Sequence, residues 1–194
     1  MLPSCTPLPK ADLEAIPHKV VDSCLHNSLS GDLVLRCGKD EISHLFSRLN
    51  TRNPTYSHCG VLNKTDSGVF VFHILSSAQH NAGDIVYEPF ERFVRPEISE
   101  KWCIVQYHFD RLQRARFCNQ IAFYFSKNIL FDSEFNLVSD DKMYCSEMIY
   151  KAILHSGLDS ACVRSTISPT GKQYIAIDNL FEHPCCQTIC EIAY

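Results

Sequence analysis

With 194 residues, 45% hydrophobic and 21% charged, the chain has the length and composition of one globular domain, which excludes collagen-like, coiled-coil and mainly disordered classes. Eighteen Lys plus Arg against 22 Asp plus Glu give a formal net charge of −4, so nothing electrostatic favours phosphate backbones and nucleic acid is not an expected partner. No apolar run reaches the roughly 18 residues of a membrane span, and the start MLPSCTPLPK lacks the charged and apolar regions of an export signal.

In chain order, Pro3, Pro7, Pro9 and Pro17 give an extended lead-in, followed by a short helix over His18 to Leu29, so residues 1–29 read as a lead-in to a single domain over 30–194. Gly31-Asp32 opens the strand Leu33-Val34-Leu35, which Gly38 bounds. Ile42, Leu45, Phe46 and Leu49 stand at helical spacing within Lys39 to Leu49. After Asn53-Pro54, strands are predicted over Tyr56 to Leu62 and Val69 to Leu75, joined by a polar turn at Asn63 to Gly68 as a hairpin. Ser76 to Gly83 reads as a polar loop, Asp84 to Tyr87 as a strand, Pro89 to Val94 as a helical turn and Trp102 to Phe109 as a strand. Helices are predicted over Arg111 to Ser126 and Lys142 to His155, the second capped by Asp140 or Asp141 and stopped by Gly157; the tail from Lys172 reads as one or two strands. Helices near both ends and a mainly antiparallel sheet between them make the fold class α+β.

Eleven cysteines are scattered rather than spaced as a disulfide scaffold, and several sit in apolar runs where Cys behaves as a small hydrophobe, so a largely reduced protein is expected. Cys5 leaves a processed lipoprotein start open, and location stays open between cell envelope and cytoplasm. There is no G-x-G-x-x-G, P-loop, H-E-x-x-H or G-x-S-x-G in the chain, which removes dinucleotide, NTP, zincin and standard serine-hydrolase readings.

A thiol and two imidazoles remain. Cys145 falls near the first turn of a predicted helix, where unpaired N–H groups and the helix dipole favour thiolate. His58 and His73 stand on the two hairpin strands. Their numbers sum to 131, which centres the hairpin inside the turn at 65.5 and makes them direct cross-strand neighbours on one face. A thiol nucleophile needs a base within reach and a third group that orients the base. Read blandly, Cys145 is a core thiol and each His an ordinary strand residue.

Gly31-Asp32-Leu33-Val34-Leu35, Tyr56-Ser57-His58-Cys59-Gly60-Val61 and Tyr144-Cys145-Ser146-Glu147-Met148-Ile149-Tyr150, in that order, resemble the YiiX/YebB-like, circularly permuted branch of the bacterial NlpC-type papain-fold cysteine hydrolases. The resemblance covers roughly Ser30 to Gly157, with Tyr174 to Leu180 also fitting. It implies a permuted papain-like fold with the nucleophile Cys145 at a helix N-terminus, His58 as base and acid, and His73 as the orienting group, without metal or organic cofactor. The family's third group is often a carboxylate or amide, so with His73 there activity is expected to fall in acid. The oxyanion hole would use the Cys145 N–H with a second donor, for which Tyr56 is the candidate; Asp32 and Glu147 are candidates for orienting or capping. The implied reaction is amide hydrolysis by an acyl-enzyme, on a small peptide, a cell-wall peptide (peptidoglycan) or an N-acyl, lipid-type substrate. Alternatives are an acyltransferase on the same triad and an inactive binding module. Phe125, Leu130, Phe131 and Phe135 suggest an apolar subsite, with Ser76 to Gly83 and Lys127 to Asp140 bordering the cleft.

His183, Cys185, Cys186 and Cys190 have knuckle-like spacing, but a closed zinc site draws ligands from two separated pairs, so they read as a terminal strand and turn. Arg111 to Arg116 reads as a solvated helix face.

Overall fold

The computed structural model describes residues 18–76 and 84–194. Six strands form one antiparallel sheet: β1 (Leu33–Gly38), β2 (His58–Thr65), β3 (Gly68–Ile74), β4 (Ile85–Pro89), β5 (Ser99–Tyr107) and β10 (Cys186–Ala193), in the order β10-β5-β1-β2-β3-β4. Two small pairs stand apart, β6 (Leu130–Phe131) with β7 (Lys142–Met143) and β8 (Thr166–Ile167) with β9 (Gln173–Tyr174). The helices are α1 (His18–Asn27), α2 (Glu41–Ser47), α3 (Phe90–Phe93), α4 (Arg111–Ser126) and α5 (Cys145–His155). The tail that read as strand does end in one, β10, so the sheet closes at the C-terminal segment and not at a helix. The lead-in with Cys5, and residues 77–83 of the polar loop, lie outside the described residues.

Strand alternation divides the core in two. Leu33, Leu35, Cys59, Val61, Cys103 and Val105 face α4 and α5, meeting Phe117, Ile121, Met148, Ile149 and Ala152. Val34, Leu62, Val71, Trp102 and Ile104 face the other way, onto Phe90, Phe93 and Cys24. Burying both faces of β1 makes its apolar run continuous, the pattern of a central strand. Asp40 caps α2 by accepting from the Ser43 N–H at 2.9 Å, and Asp110 with Gln113 forms a capping box on α4.

Two sequence expectations change. Cysteine pairing is more extensive than expected: Cys24–Cys190 ties α1 to β10 and Cys162–Cys185 joins two loops, while Cys37, Cys59, Cys103, Cys118, Cys145 and Cys186 are free. The Cys145 helix starts later than expected. Lys142 and Met143 pair with Leu130 and Phe131 instead of coiling, so Cys145 becomes the first helical residue. Asp140 then does not cap the helix but pairs with Lys151 at 2.8 Å.

Candidate active site

β2 and β3 pair as Val61↔Phe72 through Thr65↔Gly68, a sum of 133 and not the 131 of direct opposition. Asn63 and Lys64 are strand and not turn, because their side chains have partners: Asn63 donates to Tyr87 Oη at 2.8 Å, and Lys64 Nζ donates to the carbonyls of Leu25 and Ser28 at 2.6 and 2.8 Å. Only Asp66-Ser67 remain to turn the chain. The register therefore sets Gly60 opposite His73 and leaves His58 as its diagonal neighbour. A Cβ at Gly60 would stand 2.5 Å from Val71 Cγ1, 2.8 Å from the Phe72 carbonyl and 3.1 Å from His73 Cβ. The absence of a side chain there lets His73 lean toward His58.

The two rings meet edge to face at 5.1 Å, with His58 Nε2 2.9 Å from His73 Nδ1. His73 Nε2 lies 2.9 Å from Glu88 Oε1, and Arg92 holds the other Glu88 oxygen at 3.1 Å. Glu88, on β4, was not a candidate from sequence. The Val86/Glu88 alternation is the signal that could have found it, since both share the His73 face. The donor order follows from the carboxylate. Glu88 is held below the usual carboxylate range despite burial, chiefly by the His73 hydrogen bond and charge, then by Arg92 and Arg36, so it accepts. His73 must then donate from Nε2 and accept at Nδ1, His58 must donate from Nε2, and the His58 Nδ1 lone pair is free. Phe93 packs on both rings at 5.6 and 4.9 Å, and the Arg36 guanidinium lies 4.6 Å over Phe93 while donating to its carbonyl at 2.8 Å. Burial, with the Arg36 charge and His73 adding to it, pushes the His58 pKa well below 6.5, so the imidazole is neutral near pH 7.

Cys145 arrives from the other face, at the N-terminus of α5. Its pKa is lowered, first by a hydrogen bond from the Cys59 thiol and then by the N–H groups of Cys59, Ser146 and Cys145, against the opposing cost of burial. Burial and the neighbouring Cys145 keep the Cys59 proton in place by raising its pKa. Cys145 and His58 both line one cavity, at the end where β2 begins. Its walls are apolar: Phe46 and Leu49 from the α2 region, Ile74 from β3, Phe131 and Phe135 from the segment before α5, and Ile175 and Ile177 from the tail. Phe135 sits at φ +53°, a costly conformation for an aromatic residue. The Asp132 carboxylate accepts from the N–H groups of Glu134 and Asn136 and holds that turn, and Phe135 packs 4.7 Å from Tyr144 and 5.9 Å from Phe46.

The remaining candidates divide. Tyr56 is buried but does not line the cavity. Its hydroxyl donates to Glu191 at 2.6 Å and its ring packs on Phe181, so it is not positioned as an oxyanion donor. Alternation fails to place it because Tyr56 precedes β2. Asp32 accepts from Arg114 at 2.6 Å, Leu29 N–H at 2.8 Å and Gln106 at 3.0 Å, and it braces the entry to β1. Glu147 accepts from the Tyr144 N–H and pairs with Lys151 at 3.0 Å, while burial pushes its pKa up to about 7. Both carboxylates are structural supports of the elements they stand on. Of the four apolar candidates, Phe131 and Phe135 face the cavity; Phe125 packs on Phe72 and Tyr87, and Leu130 is exposed.

A second group lies away from the cavity: ligating atoms of Cys162, His183 and Cys185 fall within 4.8 Å of one another. Among the described residues this is the group that could hold a metal ion. His58 and His73 are not part of it.

No family model matches the chain, and no curated protein matches it. Among solved structures it is similar to the crystal structure of the metalloprotein yiiX from Escherichia coli O157:H7, with a TM-score of 0.67 over 85% of this chain and 98% of that chain, at 18% identity. The likeness shows a shared fold: the chain is α+β with a YiiX-like arrangement of antiparallel sheet and packed helices.

Proposed function

We propose that this protein is a cysteine hydrolase of amide bonds, built on a permuted papain-like version of the YiiX-like fold. The observation that carries the reading is the hydrogen-bonded chain Glu88–His73–His58, which leaves a free imidazole nitrogen on a residue of the cavity that also holds Cys145. In this reading His58 Nδ1 takes the Cys145 thiol proton as the sulfur adds to the substrate carbonyl. The oxyanion develops against the N–H groups opening α5. His58 then gives the proton to the leaving amine, the C–N bond breaks, and a thioester remains. Water, deprotonated by the same imidazole, releases the acid and frees the thiol. His73 orients the base, and Glu88 supplies the negative charge that a neutral imidazole lacks, so the imidazolium formed in each half-reaction is stabilised through His73.

The yiiX structure is described as that of a metalloprotein. Among the described residues, the group able to hold a metal lies outside the cavity, and no step of the proposed reaction runs through one. The apolar walls support an acyl or aromatic group as the part of the substrate bound beside Cys145, which favours the N-acyl class over a polar cell-wall peptide. The same walls favour a second reading, transfer of the acyl group to an amine or lipid acceptor in place of water.

The test is iodoacetamide alkylation of Cys145 against pH, read by mass spectrometry in the wild type and His58→Ala, with the other cysteines as internal controls. Preferential labelling of Cys145 below pH 7 that the substitution removes supports the activated thiol. Labelling no faster than the other free thiols refutes it and leaves a binding role.

A further inference from the structure

The turn before β10 and the loop before β8 meet at the far corner of the sheet from β4, bringing Cys162 beside His183 and Cys185. The 183–185 segment alone offers too few ligands for a metal. The fold supplies the missing one from Cys162, a separation of 23 residues from Cys185. Hydrogen bonding settles which imidazole nitrogen is available. The Tyr107 hydroxyl has one proton and donates it to the Leu180 carbonyl at 2.7 Å, so its 3.3 Å contact with His183 requires His183 Nε2 to be the donor. The lone pair is then on Nδ1, where it accepts from the Cys185 N–H at 3.2 Å with Cys186 Sγ 3.8 Å away. A buried phenol that accepts from one ring nitrogen and fixes the histidine tautomer is what the outer shell of a metal site provides, and a metal at Nδ1 would replace the Cys185 N–H there.

We propose that Cys162 Sγ, Cys185 Sγ and His183 Nδ1 form a binding site for a soft divalent cation of the zinc class in the reduced protein. Two thiolates and a neutral imidazole are zinc's preferred donors, and ligand atoms within 4.8 Å of one another suit metal–sulfur and metal–nitrogen bonds of about 2.3 and 2.0 Å. The fourth position opens toward the pocket bounded by Arg52, Arg164 and Glu182, where water completes the coordination. In the structure the two sulfurs form a disulfide. Loading therefore requires a thiol or phosphine reductant to deliver two electrons to the S–S bond, after which each thiol releases its proton as its sulfur binds the metal. This departs from the metal-free reading of the sequence, where the spacing after His183 was visible and its distant partner was not.

The experiment is cobalt(II) titration of the full chain in a phosphine reductant, watching the thiolate-to-cobalt charge-transfer absorption, followed by displacement with zinc. The expected result is saturation at a single equivalent, loss of the band in Cys162→Ser, binding weakened at least about tenfold in His183→Gln, and no change in Cys145→Ala. Circular dichroism establishes that each variant is folded, and His183→Gln carries the test should Cys162→Ser unfold. A folded wild type that is reduced by thiol count yet gives no band holds only two free thiols there and overturns the proposal. So does a band that survives loss of Cys162 or disappears with Cys145.

Discussion

The two corners of the molecule that carry unusual side-chain chemistry are built in opposite ways. The imidazole chain is assembled from consecutive strands: His58, His73 and Glu88 come from β2, β3 and β4, fifteen residues apart at each step. Its members are backed by ladder hydrogen bonds and by Phe93, and His73 is fully buried. The cysteine-histidine corner is assembled from loops, its members only partly buried, with geometry set by Tyr107 and a sulfur pair. A strand-built site is fixed by register before any ligand arrives. A loop-built one depends on a covalent or metal bond to hold it.

Activity separates the corners most sharply. Cys145→Ala is expected to lower kcat/KM roughly 10⁴-fold or more, while Cys162→Ala leaves the reactivity of Cys145 toward iodoacetamide within about twofold. A large loss of that reactivity in Cys162→Ala would show the corners to be one site. Next in size is Glu88→Ala, with kcat down about tenfold to a hundredfold at little change in KM. Glu88→Gln should restore part of it, because the amide oxygen still accepts from His73 while the charge is gone. A Glu88→Ala enzyme with unchanged kcat would end the chain at His73.

Stability effects are smaller. Gly60→Ala must move Val71 or the Phe72 carbonyl and should cost about 1–3 kcal/mol in urea unfolding, with slower Cys145 alkylation as His73 is displaced. Unchanged stability would mean that the hairpin accommodates a methyl group there. The smallest effect is on pH. His58 is held well below 6.5 in the native state, so below about pH 6.5 the unfolded chain binds a proton that the native chain refuses, and stability falls as pH drops toward the native value. Melting temperatures from about pH 7 to about pH 5 should decline in the wild type and less steeply in His58→Gln. Parallel curves would place the titration elsewhere.

Much of the sheet was legible because its signals are local. Alternation in Val69 to Leu75, the continuous apolar run at Leu33 and the apolar stripes of the helices follow from period alone, while the expected Asp140 or Asp141 cap of the Cys145 helix does not form. The His58–His73 pairing was legible in its face and wrong in its register by two residues, because strand propensity does not show that Asn63 and Lys64 find partners on Tyr87 and α1. Glu88 was invisible for a related reason. A carboxylate at a strand end reads as solvated until a third strand is laid against the second. Tyr56 was misplaced by extending strand alternation beyond the strand, and Cys162 by searching for ligands along the chain when the fold supplies them across it.

The sequence by itself determined one α+β domain, the positions of most strands and helices, a thiol at a helix start, and two imidazoles on one face of a hairpin. Those properties depend on neighbours within a few residues, which the chain carries with it. Tertiary structure alone decided the two-residue register, the carboxylate behind His73, the apolar cavity that His58 and Cys145 share from opposite faces, and the joining of Cys162 to His183 and Cys185. Each of these depends on contacts between distant segments, made only where burying both faces of the sheet outweighs the entropy of closing the loops between them.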